Sequence, residues 1–177
     1  LDYGQQMLII IAAGISSGQI NSWLGKKGTL PPYFMVIPNI AIAEKASMTF
    51  IGPQGASDEQ TKTITSLFDE LGGSMITKEN LLAAGTTLAS CGIAYALRYI
   101  RASAEGGVEL GFKASDATRI VAQTVEGAVK LLQAKNGHPE ELIDQVTTPG
   151  GVTIQGLNEM EHAGFTSAVI RGLKAGI

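Results

Sequence analysis

A glycine turn at residues 147–153, TTPGGVT, runs directly into the helical pattern IQGLNEM at 154–160 and decides how the second half of this chain is interpreted. Its two glycines let the backbone turn tightly. The amides that follow lie in the first turn of a helix, where they lack intrahelical partners and the helix dipole is positive. Because Thr148 and Thr153 add hydroxyl donors, the segment predicts a seat for a small carboxylate. An ordinary glycine turn between two helices is the alternative.

Composition narrows the class of ligand. The chain has 177 residues, 45% of them hydrophobic, and a formal net charge of −3 from 13 basic and 16 acidic residues. Since no basic block is present, neither nucleic acid nor a membrane is an expected partner, and a small molecule is favoured. The longest wholly apolar run, Met7–Ala13, is far short of the ~20 residues of a membrane span. The single cysteine, Cys91, agrees with a reducing, cytoplasmic location.

Residues 1–78 alternate short strand-like runs with helix-like ones. This rhythm is typical of an α/β domain with a parallel sheet. The patterns predict helices at Ser17–Leu24 and Asp58–Leu71, and strands at Met7–Ala13, Phe34–Pro38, Ser47–Gly52 and Ser74–Thr77.

Residues 79–177 change to an all-helical pattern. A long helix at Asn80–Glu105, with a break near Gly85 or Gly92, is expected to end at Gly106-Gly107. Ser115 is the expected cap of the next helix, one face of which is expected to be buried, and Pro139 opens a short one. The glycine turn starts a further helix that Gly164 ends, and Thr166 is expected to cap the last.

These helices are rich in alanine and glycine and carry few bulky side chains. Packing against a second copy of the same surface is the simplest way to bury them, so we expect a homodimer or a higher homo-oligomer. A lone helical bundle is the alternative. No cluster of histidine, cysteine and carboxylates has ligand spacing, which predicts no metal. His138, just before a helix-opening proline, is interpreted as a cap, and Cys91 as a packing residue.

A family resemblance extends these inferences. The segment TTPGGVTIQGLNEMEHAGFTSAVIRGLKA at 147–175 resembles the C-terminal signature of pyrroline-5-carboxylate reductases, in which a Ser/Thr-Pro-Gly-Gly-x-Thr turn precedes a helix, a Gly-Phe pair and a last helix. GVELGFKASDATRIVAQTVEGAVKLL at 107–132 is similar to the helical domain of that family. AAGI at 12–15 and IPN at 37–39 resemble its two nucleotide-facing loops, so the likeness covers nearly the whole chain.

The resemblance implies a fold and a division of labour. Residues 1–78 would be the C-terminal part of an NAD(P)-binding Rossmann-like domain, and residues 79–177 an all-helical dimerisation and substrate-binding domain. The Gly-x-Gly-x-x-Gly fingerprint of dinucleotide binding is absent from the sequence, and we expect the first half of that domain to lie upstream of Leu1.

The resemblance also implies an activity and site residues. The reaction would be the NAD(P)H-dependent reduction of 1-pyrroline-5-carboxylate to L-proline, the last step of proline biosynthesis, with NADP or NAD as cofactor. The cofactor would be bound by Ala13, Gly14, Pro38 and Asn39. The substrate carboxylate would be bound by Thr148, Gly150, Gly151, Val152 and Thr153.

The chain departs from the family in the segment that starts the helical domain. Family members have Thr-x-Leu-Ser-Gly-Ser-Gly-Pro-Ala-Tyr, whereas here Ala89 and Cys91 replace the two serines and Ile93 replaces the proline, which should let the helix run on more smoothly. Thr86 keeps its place and is the candidate catalytic residue. The loop after Asn39 is also altered, with Ile40-Ala41 where the family tends to have Thr-Pro.

These departures leave other functions open. A dimeric relative that binds a small carboxylate without reducing it would be expected to lose hydroxyls from the 89–93 segment. A reductase of a related imine is a third reading. The intact Pro-Gly-Gly-x-Thr turn favours the reductase of 1-pyrroline-5-carboxylate.

Overall fold

The computed structural model describes residues 6–12, 14–25, 30–135 and 137–177. It divides into two compact units. The first, called here the α/β unit, comprises Leu1–Ile93 with Gly176–Ile177, and the second, called the helical unit, comprises Ala94–Ala175. The units therefore meet in sequence after Ile93, and the domain boundary at residue 78 stays a prediction.

The α/β unit contains a four-stranded sheet in the order β1-β2-β3-β4. The pairs β1/β2 and β3/β4 are parallel, as expected, but β2 and β3 are antiparallel, with Met35 opposite Gly52, so the sheet is mixed. The connection between β2 and β3 is too short for a crossover helix, which explains the reversal. The strands are β1 (Leu8–Ile10), β2 (Tyr33–Ile37), β3 (Ser47–Gln54) and β4 (Gly72–Ile76).

The helices of this unit follow their caps. Helix α1 (Ser17–Leu24) begins where the sequence predicts, because Ser16 and Gln19 form a capping box. Helix α2 (Asp58–Asp69) uses the same device through Ser57 and ends two residues before the predicted Leu71. A 3₁₀ turn, Ile40–Glu44, joins β2 to β3.

Two apolar clusters hold the sheet. Neighbouring residues of β2 point to opposite faces of the sheet, and its residues from Tyr33 to Val36 are all buried. Both faces of this strand are therefore covered, which explains why its sequence is continuously apolar. One cluster contains Ile20, Tyr33, Met35, Phe50 and Leu82. The other contains Phe34, Val36, Ile51, Ile64 and Phe68.

A helical run extends from α3 (Glu79–Gly85) through a π-helical segment (Thr86–Cys91) into α4 (Gly92–Glu109). Gly85 and Gly92 both keep right-handed helical angles, and the irregularity is the wider π turn between them. The helical run is unbroken at Ile93, and the expectation that it is smoother than with a proline there stays a prediction. The run is long enough and apolar enough to cross a membrane. Core helices of soluble proteins also meet these two criteria, so they are weak evidence for a membrane span.

The predicted end of that helix at Gly106-Gly107 is wrong. Helical angles continue to Glu109, and the chain turns at Gly111, whose φ of 100° is left-handed. The amide of Gly111 donates to the carbonyl of Val108 (2.9 Å), and that of Phe112 to Gly107 (3.1 Å), which closes the last turn.

The remaining helices are α5 (Ala114–Lys135), α6 (Pro139–Gln145), α7 (Val152–His162) and α8 (Phe165–Lys174). Ser115 lies inside α5 and does not cap it. The cap at His138 is confirmed, since its Nδ1 accepts a hydrogen bond from the Glu140 amide (3.3 Å). Thr166 is not a cap: Gly164, with a φ of 81°, precedes α8, and the Thr166 hydroxyl donates to Glu161 (2.7 Å).

The expected buried face of α5 is not buried within one chain. Ala117 is 2% exposed, but Ile120 and Leu131 are 45% and 51% exposed. A single copy of the helical unit therefore leaves much of this apolar face in contact with solvent.

Candidate functional site

A cavity of about 350 Å³ lies in the α/β unit. The residues that follow β1 form one wall, the end of β2 a second, and α3 with the π-helical segment a third. Parallel strands present their carboxyl ends at one edge of a sheet, which is where α/β proteins bind ligands. Its lining includes Gly14, Ile15, Ile37, Glu79, Ala83 and Thr86.

Gly14, one of the residues assigned to the cofactor, lines this cavity. Its φ is 77°, and a Cβ placed on it would meet nothing within 4 Å. The positive φ favours glycine at this position, whereas the space around it would admit a side chain. The other residue assigned to this loop, Ala13, lies outside the described residues. Contact between Gly14 and a cofactor stays a prediction.

Pro38 and Asn39 follow the end of β2, next to the cavity residue Ile37. Asn39 is 8% exposed and caps the 3₁₀ turn, because its side-chain oxygen accepts from the Ala41 amide (3.0 Å). Its own amide donates to the Ser47 hydroxyl (3.1 Å). Asn39 therefore holds the start of the 3₁₀ turn against β3. Its contact with a cofactor stays a prediction.

Thr86 opens the π-helical segment and faces the cavity. Its hydroxyl donates to the carbonyl of Leu82 (2.9 Å). Since this bond uses the only proton of the hydroxyl, the oxygen offers lone pairs to a ligand. In this arrangement Thr86 is an acceptor, not a proton donor. Segments of π-helix often occur at functional sites.

Glu79 is a cavity residue that sequence reasoning missed. Its carboxylate accepts hydrogen bonds from the Ser17 hydroxyl (2.5 Å) and the Ser17 amide (2.8 Å) at the start of α1. These two bonds from Ser17 lower the pKa of Glu79, so the group is ionised at neutral pH. An acidic residue in the first turn of a helix usually complements only its own helix, which is how the sequence pattern would be interpreted.

Tyr33, on β2, is 2% exposed and bonds to the same helix, α1. Its hydroxyl donates to Asn21 (2.8 Å), and burial, with a smaller contribution from Glu79, raises its pKa. Tyr33 therefore stays neutral at physiological pH and serves to hold α1 against the sheet.

The glycine turn lies in the helical unit and has the predicted form. Gly150 has a φ of 70°, and the Gly151 amide donates to the Thr148 carbonyl (2.9 Å). A Cβ on Gly151 would lie 2.4 Å from the Thr148 hydroxyl oxygen and 3.1 Å from the Thr148 carbonyl oxygen, so a larger residue there would have to displace the Thr148 side chain. No side chain caps α7, whose first residue, Val152, is 84% exposed. Thr153, the next residue, is half-buried.

This turn offers the donors that a carboxylate needs. Backbone amides at the start of α7 come with a favourable dipole, and Thr148 and Thr153 supply hydroxyls on either side. Their roles in binding stay predictions. Within the described ranges, no three histidine, cysteine or acidic residues are grouped so that they could hold a metal ion, and the absence of a metal also stays a prediction.

A mixed α/β unit with a cavity at its strand ends, followed by helices with a glycine turn before α7, defines a two-part protein in which an α/β unit precedes an all-helical one. Residues 79–177 match the family model described as pyrroline-5-carboxylate reductase dimerisation. The chain belongs to the pyrroline-5-carboxylate reductase family.

Curated relatives carry the same name. The chain is 42% identical to pyrroline-5-carboxylate reductase 1 of Dictyostelium discoideum, over 94% of this chain and 32% of that protein. It is 38% identical to pyrroline-5-carboxylate reductase 2 of the same organism, over 94% of this chain and 60% of that protein. The reductase of Arabidopsis thaliana is 33% identical, over 96% and 60%. The chain thus spans between a third and three fifths of the length of these relatives.

Solved structures have the same fold. The 1-pyrroline-5-carboxylate reductase of Streptococcus pyogenes is 30% identical, with a TM-score of 0.88 over 97% of this chain and 66% of that chain. The Plasmodium falciparum enzyme, solved with NADP bound, is 23% identical, with a TM-score of 0.88 over 98% and 69%. At that identity the second likeness establishes the fold alone.

Proposed function

We propose that the full-length protein reduces 1-pyrroline-5-carboxylate to L-proline with NADPH or NADH, and that it acts as a homodimer or a higher homo-oligomer. The observation that carries the proposal is the glycine turn before α7, which keeps uncapped amides and both threonines in a chain of this family. A small carboxylate is the ligand that this donor set suits.

The α/β cavity fits the nicotinamide end of a dinucleotide. Its walls are largely apolar, with Ile10, Ile15 and Ile37 available to contact a flat ring, and Gly14 allows the loop to turn beside it. Gly14, Pro38 and Asn39 would hold the cofactor, together with Ala13. When bound, the cofactor supplies the hydride.

The remaining chemistry belongs to the protein. Thr148, Gly150, Gly151, Val152 and Thr153 would hold the substrate carboxylate through amides and hydroxyls. Thr86, whose proton is donated to Leu82, would accept a hydrogen bond from the N–H of the protonated imine and thereby favour the charged form that takes a hydride. No strong general acid is required if the imine binds already protonated.

Location and other partners follow from composition. We infer a cytoplasmic enzyme of small molecules, because Cys91 is the single cysteine within these 177 residues and because their net charge of −3 offers no attraction for nucleic acid or an anionic membrane.

The test is a kinetic assay of the full-length protein. Consumption of NADPH or NADH that depends on 1-pyrroline-5-carboxylate is the expected result, and its absence with both cofactors would contradict the proposal. Thr86→Val should lower kcat roughly ten- to a hundredfold, since a hydrogen bond to a charged group contributes ~1.5 to 3 kcal/mol. Thr63→Val is the matched control, because its hydroxyl also donates to the carbonyl four residues back, that of Glu59 (3.0 Å).

A second candidate has its own observation. Ala89, Cys91 and Ile93 replace the hydroxyls and the proline of the family segment, and Ala89 packs instead against an apolar cluster of the sheet. A non-catalytic relative that binds a small carboxylate would show proline binding by calorimetry and no turnover.

A further inference from the structure

The Pro38-Asn39 loop is held from two sides by serine hydroxyls. The Ser90 hydroxyl, on the π-helical segment, donates to the carbonyl of Pro38 (3.3 Å). The amide of Asn39 donates to the hydroxyl of Ser47, the first residue of β3 (3.1 Å). The two serines lie 43 residues apart in sequence and on different elements, so together they hold the carbonyl and the amide of the single peptide group that joins Pro38 to Asn39.

Ser47 is a rigid anchor. It is 2% exposed, its amide donates to the Leu71 carbonyl (3.2 Å), and its hydroxyl also bonds to that of buried Thr49 (3.1 Å). Gly72, its partner on β4, lies so close that a Cβ there would stand 2.2 Å from the Ser47 carbonyl oxygen. A buried hydroxyl bonded on several sides has little freedom to move.

Ser90 links the loop to the cavity. It lies four residues after Thr86 on the same π-helical segment, and Thr86 lines the cavity that Ile37 also lines. The bond from Ser90 therefore ties the loop to the same helical segment that forms one wall of the cavity.

We propose that Ser47 and Ser90 are positioning residues that hold Pro38-Asn39 in the conformation that receives the cofactor. The inference rests on the proposed function, because it takes this loop to be a cofactor contact. Neither serine needs to touch the cofactor; each acts through a backbone group of the loop.

The test measures cofactor binding and loop mobility separately in the full-length protein. NADPH affinity is measured by fluorescence titration, and the exchange rate of the Asn39 amide by hydrogen exchange. The variants are Ser47→Ala, Ser90→Ala and Ser90→Thr, which keeps the hydroxyl. Ser22→Ala is the matched control, because the Ser22 hydroxyl also donates to a backbone carbonyl, that of Gln19 (2.7 Å), but away from the loop.

Loss of one hydrogen bond should weaken NADPH binding roughly three- to tenfold in both alanine variants, with a larger effect on KM for NADPH than on kcat. Ser47→Ala should also speed exchange of the Asn39 amide by a similar factor, and Ser90→Thr should restore binding. Unchanged cofactor affinity in both alanine variants, or a wild type that binds neither NADPH nor NADH, would overturn the inference. A wild type that binds NADPH without reducing the imine, with both variants weakened, would support positioning while contradicting the proposed reaction.

Discussion

The α/β unit buries its own core, whereas the helical unit of a single chain hardly has one. Among the described residues, the buried apolar side chains of the helical unit are Ala104 and Ala117, both small. Leu110 and Val152 are 83% and 84% exposed there. The α/β unit buries Ile20, Tyr33, Phe34, Met35, Val36, Phe50, Ile51, Ile64, Phe68 and Leu82.

This difference teaches that the two units draw stability from different sources. Burial of large apolar side chains stabilises the sheet within one chain. In the helical unit, α4, α5 and α6 surround an open apolar cavity of about 430 Å³ that includes Tyr99, Val125 and Leu132. A soluble protein rarely leaves such a surface uncovered, and a family model for dimerisation matches this region. We therefore expect the second copy to complete its core.

The largest expected effect concerns assembly through the helical unit. Val125→Asp should abolish assembly, because a carboxylate buried at an interface without a partner costs several kcal/mol. Sedimentation at micromolar concentration should show the loss. Gln123→Glu is the control: each residue turns a helix by ~100°, so position 123 faces away from Val125, and its side chain is exposed in the single chain. A Val125→Asp protein that assembles like the wild type would contradict the expected role of this face.

A second variant tests the sheet. Ile51 is fully buried in β3, and Ile51→Ala should lower the free energy of unfolding by ~2 to 5 kcal/mol. Ile76 pairs with it across β4 but is 54% exposed, so Ile76→Ala should cost much less. Urea unfolding of both variants measures the difference. Equal losses would mean that the core of the α/β unit is not where the structure places it.

A third variant separates the tasks of the two units. Thr153→Ala should lower kcat/KM for the imine roughly ten- to a hundredfold, because a hydrogen bond to a carboxylate contributes ~1.5 to 3 kcal/mol. NADPH affinity should not change. Thr166→Ala, which removes an exposed hydroxyl bonded to Glu161, is the control. If Thr153→Ala has wild-type kinetics, the turn has a structural role only.

The smallest expected effect concerns pH. The Ser17 hydrogen bonds lower the pKa of Glu79 in the folded state, so their stabilisation is complete above the unfolded pKa of ~4.3 and is lost as pH falls through the lower, folded value. Solvent screening keeps it below about 1 kcal/mol. Urea unfolding between about pH 3 and 6 should show a weaker pH dependence in Glu79→Gln than in the wild type. Identical slopes would show that Glu79 does not couple to folding.

Local chemistry explains which features could be predicted from the sequence. The start of α1, the His138 cap and the glycine turn before α7 depend on neighbouring residues, and each was predictable. The antiparallel pairing of β2 with β3 depends on the geometry of a short connection, which strand periodicity does not record. The contact between Glu79 and Ser17 spans 62 residues and leaves no local signal. The apolar pattern of α5 predicts a face that is buried, but it does not record whether the same chain or a second copy covers that face.

Gly72 illustrates how a distant substitution could affect ligand binding. It touches no proposed ligand group, yet its missing side chain allows the backbone of Ser47 to lie against it, and Ser47 in turn fixes Asn39. Any larger residue at 72 would displace that anchor. In a genetic screen, substitutions at this position would therefore be scored as loss of function, and a second change that merely restored folding would not rescue them.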